Sequence, residues 1–119
     1  MSDPHFNGLS PADAESLALL AEEAAEVIQM IGKTLRHGLE SCHPDGGESN
    51  RVMLAQEVGD LLASIQIAVA REMLSHDEVE QARSRKLDRV AKYLHHAKVP
   101  MRILLPAFGV DPIGKGGTK

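Results

Sequence analysis

The sequence predicts an all-α fold, an antiparallel helix bundle with three main helices. Three observations carry this reading. The residues are 43% hydrophobic but only 3% aromatic, with no Trp, and the apolar share is mostly Ala, Leu, Val and Ile, which suit packed helices better than a β-sandwich. Apolar side chains recur at helical spacing through three long stretches. Cap residues open the first and third of these stretches, and a run rich in Gly and Pro interrupts them. The 119 residues suit one domain, 1–119, with flexible ends expected at 1–9 and 109–119.

The first helix is expected over about 11–39. Ser10 is a good N-cap, Pro11 takes the first helical position, and acids follow in the first turn. SCHPDGGESN then breaks the pattern and reads as a loop. The second helix is expected over about 50–74. The third, over about 76–97, starts with SHDE, where Ser75 and Glu78 have the spacing of a capping box. His95 and His96 read as residues capping its C-terminal end. The tail holds several Pro and Gly, and MRILLPAF is a candidate for one further short helix. GVDPIGKG near the end resembles a phosphate-binding loop, but Gly116 replaces the required hydroxyl residue and no helix follows.

Charge and composition exclude several functions. The formal net charge is −4 and no basic stripe is present, so nucleic acid is not an expected partner. A single Cys, Cys42, excludes an internal disulfide and fits a reducing cytoplasm. No apolar run reads as membrane-spanning, and the N-terminus lacks the pattern of a signal peptide. The expectation is a cytoplasmic protein with no membrane association.

On helix one, Leu17, Leu20, Ala24, Val27, Ile28, Ile31 and Leu35 share one face and form the expected core stripe. Leu19, Glu23, Glu26 and Met30 form a second stripe, so two carboxylates are bracketed by apolar side chains. Helix two repeats the arrangement. Its main stripe is Leu54, Val58, Leu61, Leu62, Ile65 and Val69; its second holds Met53, Glu57, Asp60, Ser64 and Arg71. Each helix therefore presents an i,i+3 carboxylate pair, Glu23 with Glu26 and Glu57 with Asp60. Taken singly, such a pair reads as a solvated face. Two matching pairs on consecutive antiparallel helices converge, and converging carboxylates repel unless a cation lies between them. Oxygen ligands of this kind suit Mg²⁺ or Mn²⁺.

EEAAE, Glu22 to Glu26, followed by EVGD, Glu57 to Asp60, resembles the two-part acidic signature of the MazG-like all-α nucleoside triphosphate pyrophosphohydrolases. The likeness extends over roughly Leu17 to Leu94, with a somewhat long spacer that SCHPDGGESN explains. It implies a Mg²⁺-dependent enzyme that hydrolyses an NTP or dNTP between the α and β phosphates, giving the monophosphate and pyrophosphate. A water activated by the metal would be the nucleophile. Glu23, Glu26, Glu57 and Asp60 would be the metal ligands, and Glu22 a further ligand or an orienter of the water. A basic residue of helix three would contact phosphate. Lys86, inside that helix's expected apolar face of Val79, Ala82, Val90, Tyr93, Leu94 and Ala97, is the first candidate, with Arg85, Arg89 and Lys92 beside it. Many relatives carry an Asn about one turn beyond that lysine, and here Arg89 or Val90 stands instead. Lys33 and His37 are weaker candidates, since basic residues also favour a helix C-terminus.

Phosphoribosyl-ATP pyrophosphatase and enzymes specific for dUTP or dCTP share the same fold and motif and stay open as alternatives. A non-enzymatic alternative is a helical oligomer that binds or regulates, with the acids serving only as ion-pair partners. Helix two is apolar nearly all round, so a homo-oligomer is expected, and the resemblance implies a homodimer or a homotetramer of dimers.

Overall fold

The computed structural model describes residues 6–97. Among them the regular structure is entirely helical, as the sequence predicts: α1 (Pro11–His37), α2 (Asn50–Ala70) and α3 (His76–Val90). The tail motifs MRILLPAF and GVDPIGKG lie outside the described residues. The chain divides into two compact units, Met1–Met73 and Leu74–Lys119.

In the first unit, Ser10 Oγ accepts the Asp13 N–H at 3.1 Å and so caps α1. α1 ends at His37, slightly before the expected 39, where Gly38 turns to φ 94 and its N–H donates to Thr34 O at 2.7 Å. Ser49 caps α2, its Oγ accepting the Val52 N–H at 3.3 Å. α2 stops at Ala70 rather than 74. Glu72 adopts φ 65, the Glu72 N–H donates to Val69 O and the Met73 N–H to Ala68 O, both at 2.9 Å. This pair of bonds is a Schellman closure, here made without glycine.

α1 and α2 run antiparallel. Arg71 at the end of α2 donates to Asp13 at the start of α1 at 2.7 Å. At the other end, Asn50 Nδ2 donates to Gly38 O at 3.0 Å. The residues buried in this unit are Ser16, Met30, Asn50, Ser64 and Ala68. Leu19, Glu23, Glu26, Met53, Glu57 and Leu61 are half-buried.

The helices thus meet through the stripe that carries the acids. The stripe expected to form the core of α1 is covered only in part: Leu20, Ala24 and Val27 are half-buried, whereas Ile28 is 70% and Leu35 82% exposed, with Leu17 and Ile31 exposed as well. Small side chains at Ser16, Ser64 and Ala68 allow the backbones to approach on the acidic side. Two helices alone cannot cover every apolar side chain, so Ile28, Leu35, Val58 and Ile67 remain on the surface while Leu54, Leu62, Ile65 and Val69 are half-buried. α2 departs from expectation in a second way. By length and composition, at mean hydropathy 1.4, it is apolar enough to cross a membrane. It carries Glu57 and Asp60 mid-helix, which a lipid-spanning segment tolerates poorly, and Val52, Val58 and Ile67 on it are exposed.

In the second unit, Ser75 Oγ accepts the Glu78 N–H at 3.2 Å, one half of the expected capping box. Arg83 and Glu80 form an ion pair at 2.9 Å. The half-buried side of α3 is Val79, Glu80, Arg83, Leu87 and Val90. It is centred about one residue away from the expected face, which leaves Lys86 exposed outside it. α3 ends at Val90, not 97. The Lys92 N–H donates to Arg89 O and the Tyr93 N–H to Val90 O, which tightens the last turn. Tyr93 is 70% exposed, and a helix end without burial frays. His95 and His96 lie beyond this end and do not cap it.

Candidate functional site

The antiparallel pairing places the two i,i+3 acidic pairs at one level of the first unit. Glu23 on α1 and Glu57 and Asp60 on α2 each offer a carboxylate oxygen, and the three oxygens lie within 4.8 Å of one another. Glu23 Oε1 and Glu57 Oε1 are fully buried and accept no hydrogen bond. A buried acceptor without a donor is costly and rare in a folded protein.

The electrostatics follow. Burial pushes the Glu23 carboxyl above the usual glutamate range, and the charges of Glu26, Asp60, Glu22 and Glu57 push in the same direction. Glu57 is raised by burial first, then by a hydrogen bond that its protonated form donates to Glu26, then by the charges of Glu26 and Asp60. Among the described residues no lysine or arginine pairs with these acids; the arginine ion pairs involve Asp13, Glu40 and Glu80. The cluster therefore has oxygen donors, orphaned lone pairs and no internal counter-charge. That donor set fits a hard divalent cation.

The other candidates take distinct positions. Glu26 stands outside the triangle and lines a cleft of about 290 Å³ with Gln29, Met30, Lys33, Met53 and Glu57. Glu22 is exposed on α1 and reaches the cluster through its charge on Glu23. Lys33 is half-buried, lines the cleft, and makes no ion pair among the described residues. His37 is exposed and lines a neighbouring pocket with Lys33. Lys86 and Arg89 on α3, and Lys92 in the turn after it, are exposed parts of the second unit. A Cβ placed on Gly59, between Glu57 and Asp60, would meet no atom within 4 Å, so no neighbour in the described fold requires glycine there.

The connection over 38–49, of which the sequence marks SCHPDGGESN as a loop, is tied to α2 and joins the site. The Asn50 N–H donates to Ser41 O and the Arg51 N–H to Leu39 O, each at 2.8 Å, and the Arg51 guanidinium pairs with Glu40. Within it, the Gly46 N–H donates to His43 O at 2.8 Å, closing a turn that Pro44, Asp45 and Gly46 favour. Gln56 Nε2 donates to Glu48 Oε1 at 3.0 Å. Lys33, His43, Gly46, Gly47, Glu48, Asn50, Met53 and Gln56 surround a pocket of about 390 Å³. The sequence analysis missed Gln29, Met53, Glu48 and Gln56 as site residues. The available signal was helical spacing: Gln29 and Lys33 follow Glu26 by one and two turns, and Met53 precedes Glu57 by one.

A family model described as the MazG nucleotide pyrophosphohydrolase domain matches residues 13–95. No curated protein and no solved structure matches the chain. The matched span contains both acidic pairs and all of α3, and within it the carboxylates of α1 and α2 form the triangle described above. By this match the chain belongs to the MazG nucleotide pyrophosphohydrolase domain family.

Proposed function

We propose that this protein is a Mg²⁺-dependent pyrophosphohydrolase that cleaves a nucleoside triphosphate between its α and β phosphates. The observation that carries the reading is the convergence of Glu23, Glu57 and Asp60 around two buried oxygens that no donor among the described residues satisfies. Glu23, Glu57 and Asp60, with Glu26 beside them, would hold the cation. When bound, such an ion neutralises phosphate charge and makes water more acidic.

The remaining chemistry belongs to the chain. The half-buried Lys33 has no carboxylate partner among the described residues, so its ammonium is available to a phosphate oxygen at the edge of the acidic cleft. Glu22, exposed next to Glu23, is assigned to orienting the attacking water. Water adds to the α phosphorus, the bridging oxygen leaves with pyrophosphate, and the water's proton passes to a carboxylate or to solvent. No protein nucleophile is required.

The exposed apolar stripes of α1 and α2 support a homo-oligomer, with Ile28, Leu35, Val58 and Ile67 covered by a second copy. The test of function is release of pyrophosphate from a panel of NTPs and dNTPs with and without Mg²⁺. The reading is abandoned if no nucleotide turns over, or if Glu57→Gln combined with Asp60→Asn leaves the rate intact.

A further inference from the structure

We propose that the α1–α2 connection binds the nucleoside end of the substrate, and that Glu48 and Gln56 select bases carrying an exocyclic amino group. The inference rests on the pyrophosphohydrolase reading and adds a substrate class to it.

Continuity comes first. Lys33 and Met53 line both the acidic cleft and the pocket of the connection. A triphosphate whose scissile bond lies at the carboxylates therefore has this pocket directly beside it, across Lys33. Its volume, about 390 Å³, lies in the range of small-molecule sites.

Chemistry decides which end of the substrate enters. The β and γ phosphates would bring further negative charge onto Glu48, and among the described residues Lys33 is the one lysine or arginine that lines the pocket. A nucleoside is uncharged. It needs some apolar surface, supplied by Met53, and hydrogen-bonding groups at its edge. Gly46 and Gly47 adopt φ 99 and φ 118, and a Cβ on either would meet nothing within 4 Å, so their backbone is open to a ligand.

The edge is defined by one hydrogen bond. Gln56 Nε2 donates one of its two N–H groups to Glu48 Oε1, which leaves Gln56 Oε1 and Glu48 Oε2 as acceptors and the second Gln56 N–H as a donor. Acceptors match the N–H groups of cytosine, adenine or guanine. Uracil and thymine present a carbonyl oxygen where cytosine has its amine, which opposite Glu48 Oε2 would set acceptor against acceptor. His43 contributes a donor: its Nδ1 accepts the Asp45 N–H at 3.0 Å, so the neutral ring carries its proton on Nε2.

The experiment is a comparison of kcat/KM for dCTP, dATP, dGTP, dUTP and dTTP with Mg²⁺, on the full chain and on the Glu48→Ala, Gln56→Ala double variant. Binding of the non-hydrolysable α,β-imido analogues of dCTP and dUTP, followed by calorimetry, gives a readout independent of turnover. The expected result is a preference of about 10- to 100-fold for at least one amino-bearing base over dUTP and dTTP, collapsing to a few-fold in the double variant. Both Glu48 and Gln56 are exposed, so the variant keeps its helices, as circular dichroism will show. Turnover with an unchanged ranking in the variant, or a wild-type preference for dUTP, overturns this inference and leaves the pyrophosphohydrolase reading standing. Absence of turnover with every nucleotide, together with absence of analogue binding, overturns both.

Discussion

Glu23 on α1 and Glu57 on α2 each bury an Oε1 atom that accepts no hydrogen bond, and with Asp60 they bring three carboxylate oxygens within 4.8 Å. The fold holds these charges together without a basic side chain between them. The energy that could have been gained by pairing them with lysine is left for a ligand, a local conflict of the kind that marks functional sites.

Removing one charge should therefore separate stability from activity. Glu57→Gln supplies an amide N–H to its neighbours and lowers the repulsion. In the absence of divalent ions the variant should melt higher than the wild type at neutral pH, while pyrophosphate release falls about 100-fold or more. Thermal unfolding in a chelating buffer and a nucleotide assay check the two halves. A variant that is less stable and equally active contradicts the account.

The pH dependence of the metal-free protein has a defined sign. Glu23 and Glu57 lie above the usual glutamate value of 4.5 in the folded state. Over the window above 4.5 the folded protein holds more protons than the unfolded chain, so stability is lost as pH rises through their raised values. Asp13 acts in the opposite direction. The hydrogen bond from Arg71 holds it below its usual 3.8, so its contribution is present above 3.8 and lost as pH falls through the lowered value. Melting curves without divalent ions should decline from pH 5 to pH 7.5, and Mg²⁺ should raise the melting temperature more at pH 7.5 than at pH 5. Equal Mg²⁺ effects at the two values would argue against a carboxylate site.

How far the sequence discloses this arrangement depends on which forces decide each feature. Helix starts are local: Ser10, Ser49 and Ser75 each accept an N–H three residues on, and Ser10 and Ser75 are legible as caps in the sequence. The carboxylate pairs are legible because their spacing is set by helix geometry alone. The end of α2 is not, because Glu72 takes a left-handed conformation that sequence assigns to Gly or Asn. Which stripe of α1 meets α2 is not either. Hydrophobicity points to the side with Ile28 and Leu35, whereas the pair closes through Ser16, Met30, Ser64 and Ala68. Apolar content says that a face is buried by something; it does not say by which neighbour. The Glu48–Gln56 pairing depends on a loop returning to its following helix, which no periodicity encodes.

Lys33 carries a third prediction. It borders both the acidic cleft and the pocket of the connection. Lys33→Met should lower kcat/KM about tenfold or more for every nucleotide alike, since a phosphate contact is indifferent to the base. Lys33→Arg should recover part of the loss. The midpoint for Mg²⁺ in a thermal-shift titration should stay within about twofold. A change confined to some bases would move Lys33 from phosphate binding to base selection.

The exposed apolar stripes lead to a fourth. Covering Ile28 or Leu35 with a second copy would contribute roughly 1.5–3 kcal/mol per side chain, counted twice in a two-fold assembly. Ile28→Glu with Leu35→Glu should reduce the sedimenting mass to that of one chain while the helical signal of circular dichroism persists. If the wild type already sediments as a monomer, the stripe has another occupant and the oligomer proposal falls.

The closure of α2 yields the last prediction. Glu72 is the only non-glycine at positive φ among the described residues, and it occupies the position that a Schellman closure normally gives to glycine. A left-handed conformation costs an ordinary residue about 1–2 kcal/mol. Glycine escapes that strain but gives up more chain entropy on folding, roughly 0.5–1 kcal/mol. The difference favours Glu72→Gly by about 0–1.5 kcal/mol, provided that Glu72 makes no compensating contact. No ion pair or hydrogen bond of its side chain is found among the described residues, which meets that condition. The variant should melt a few degrees higher, with nucleotide turnover unchanged, because α2 keeps its length and Arg71 still reaches Asp13. Glu72→Ala is the control: it keeps the left-handed strain while removing the carboxylate, so its melting temperature should stay near that of the wild type. If alanine stabilises as much as glycine does, the gain comes from removing the charge and not from relief at φ 65.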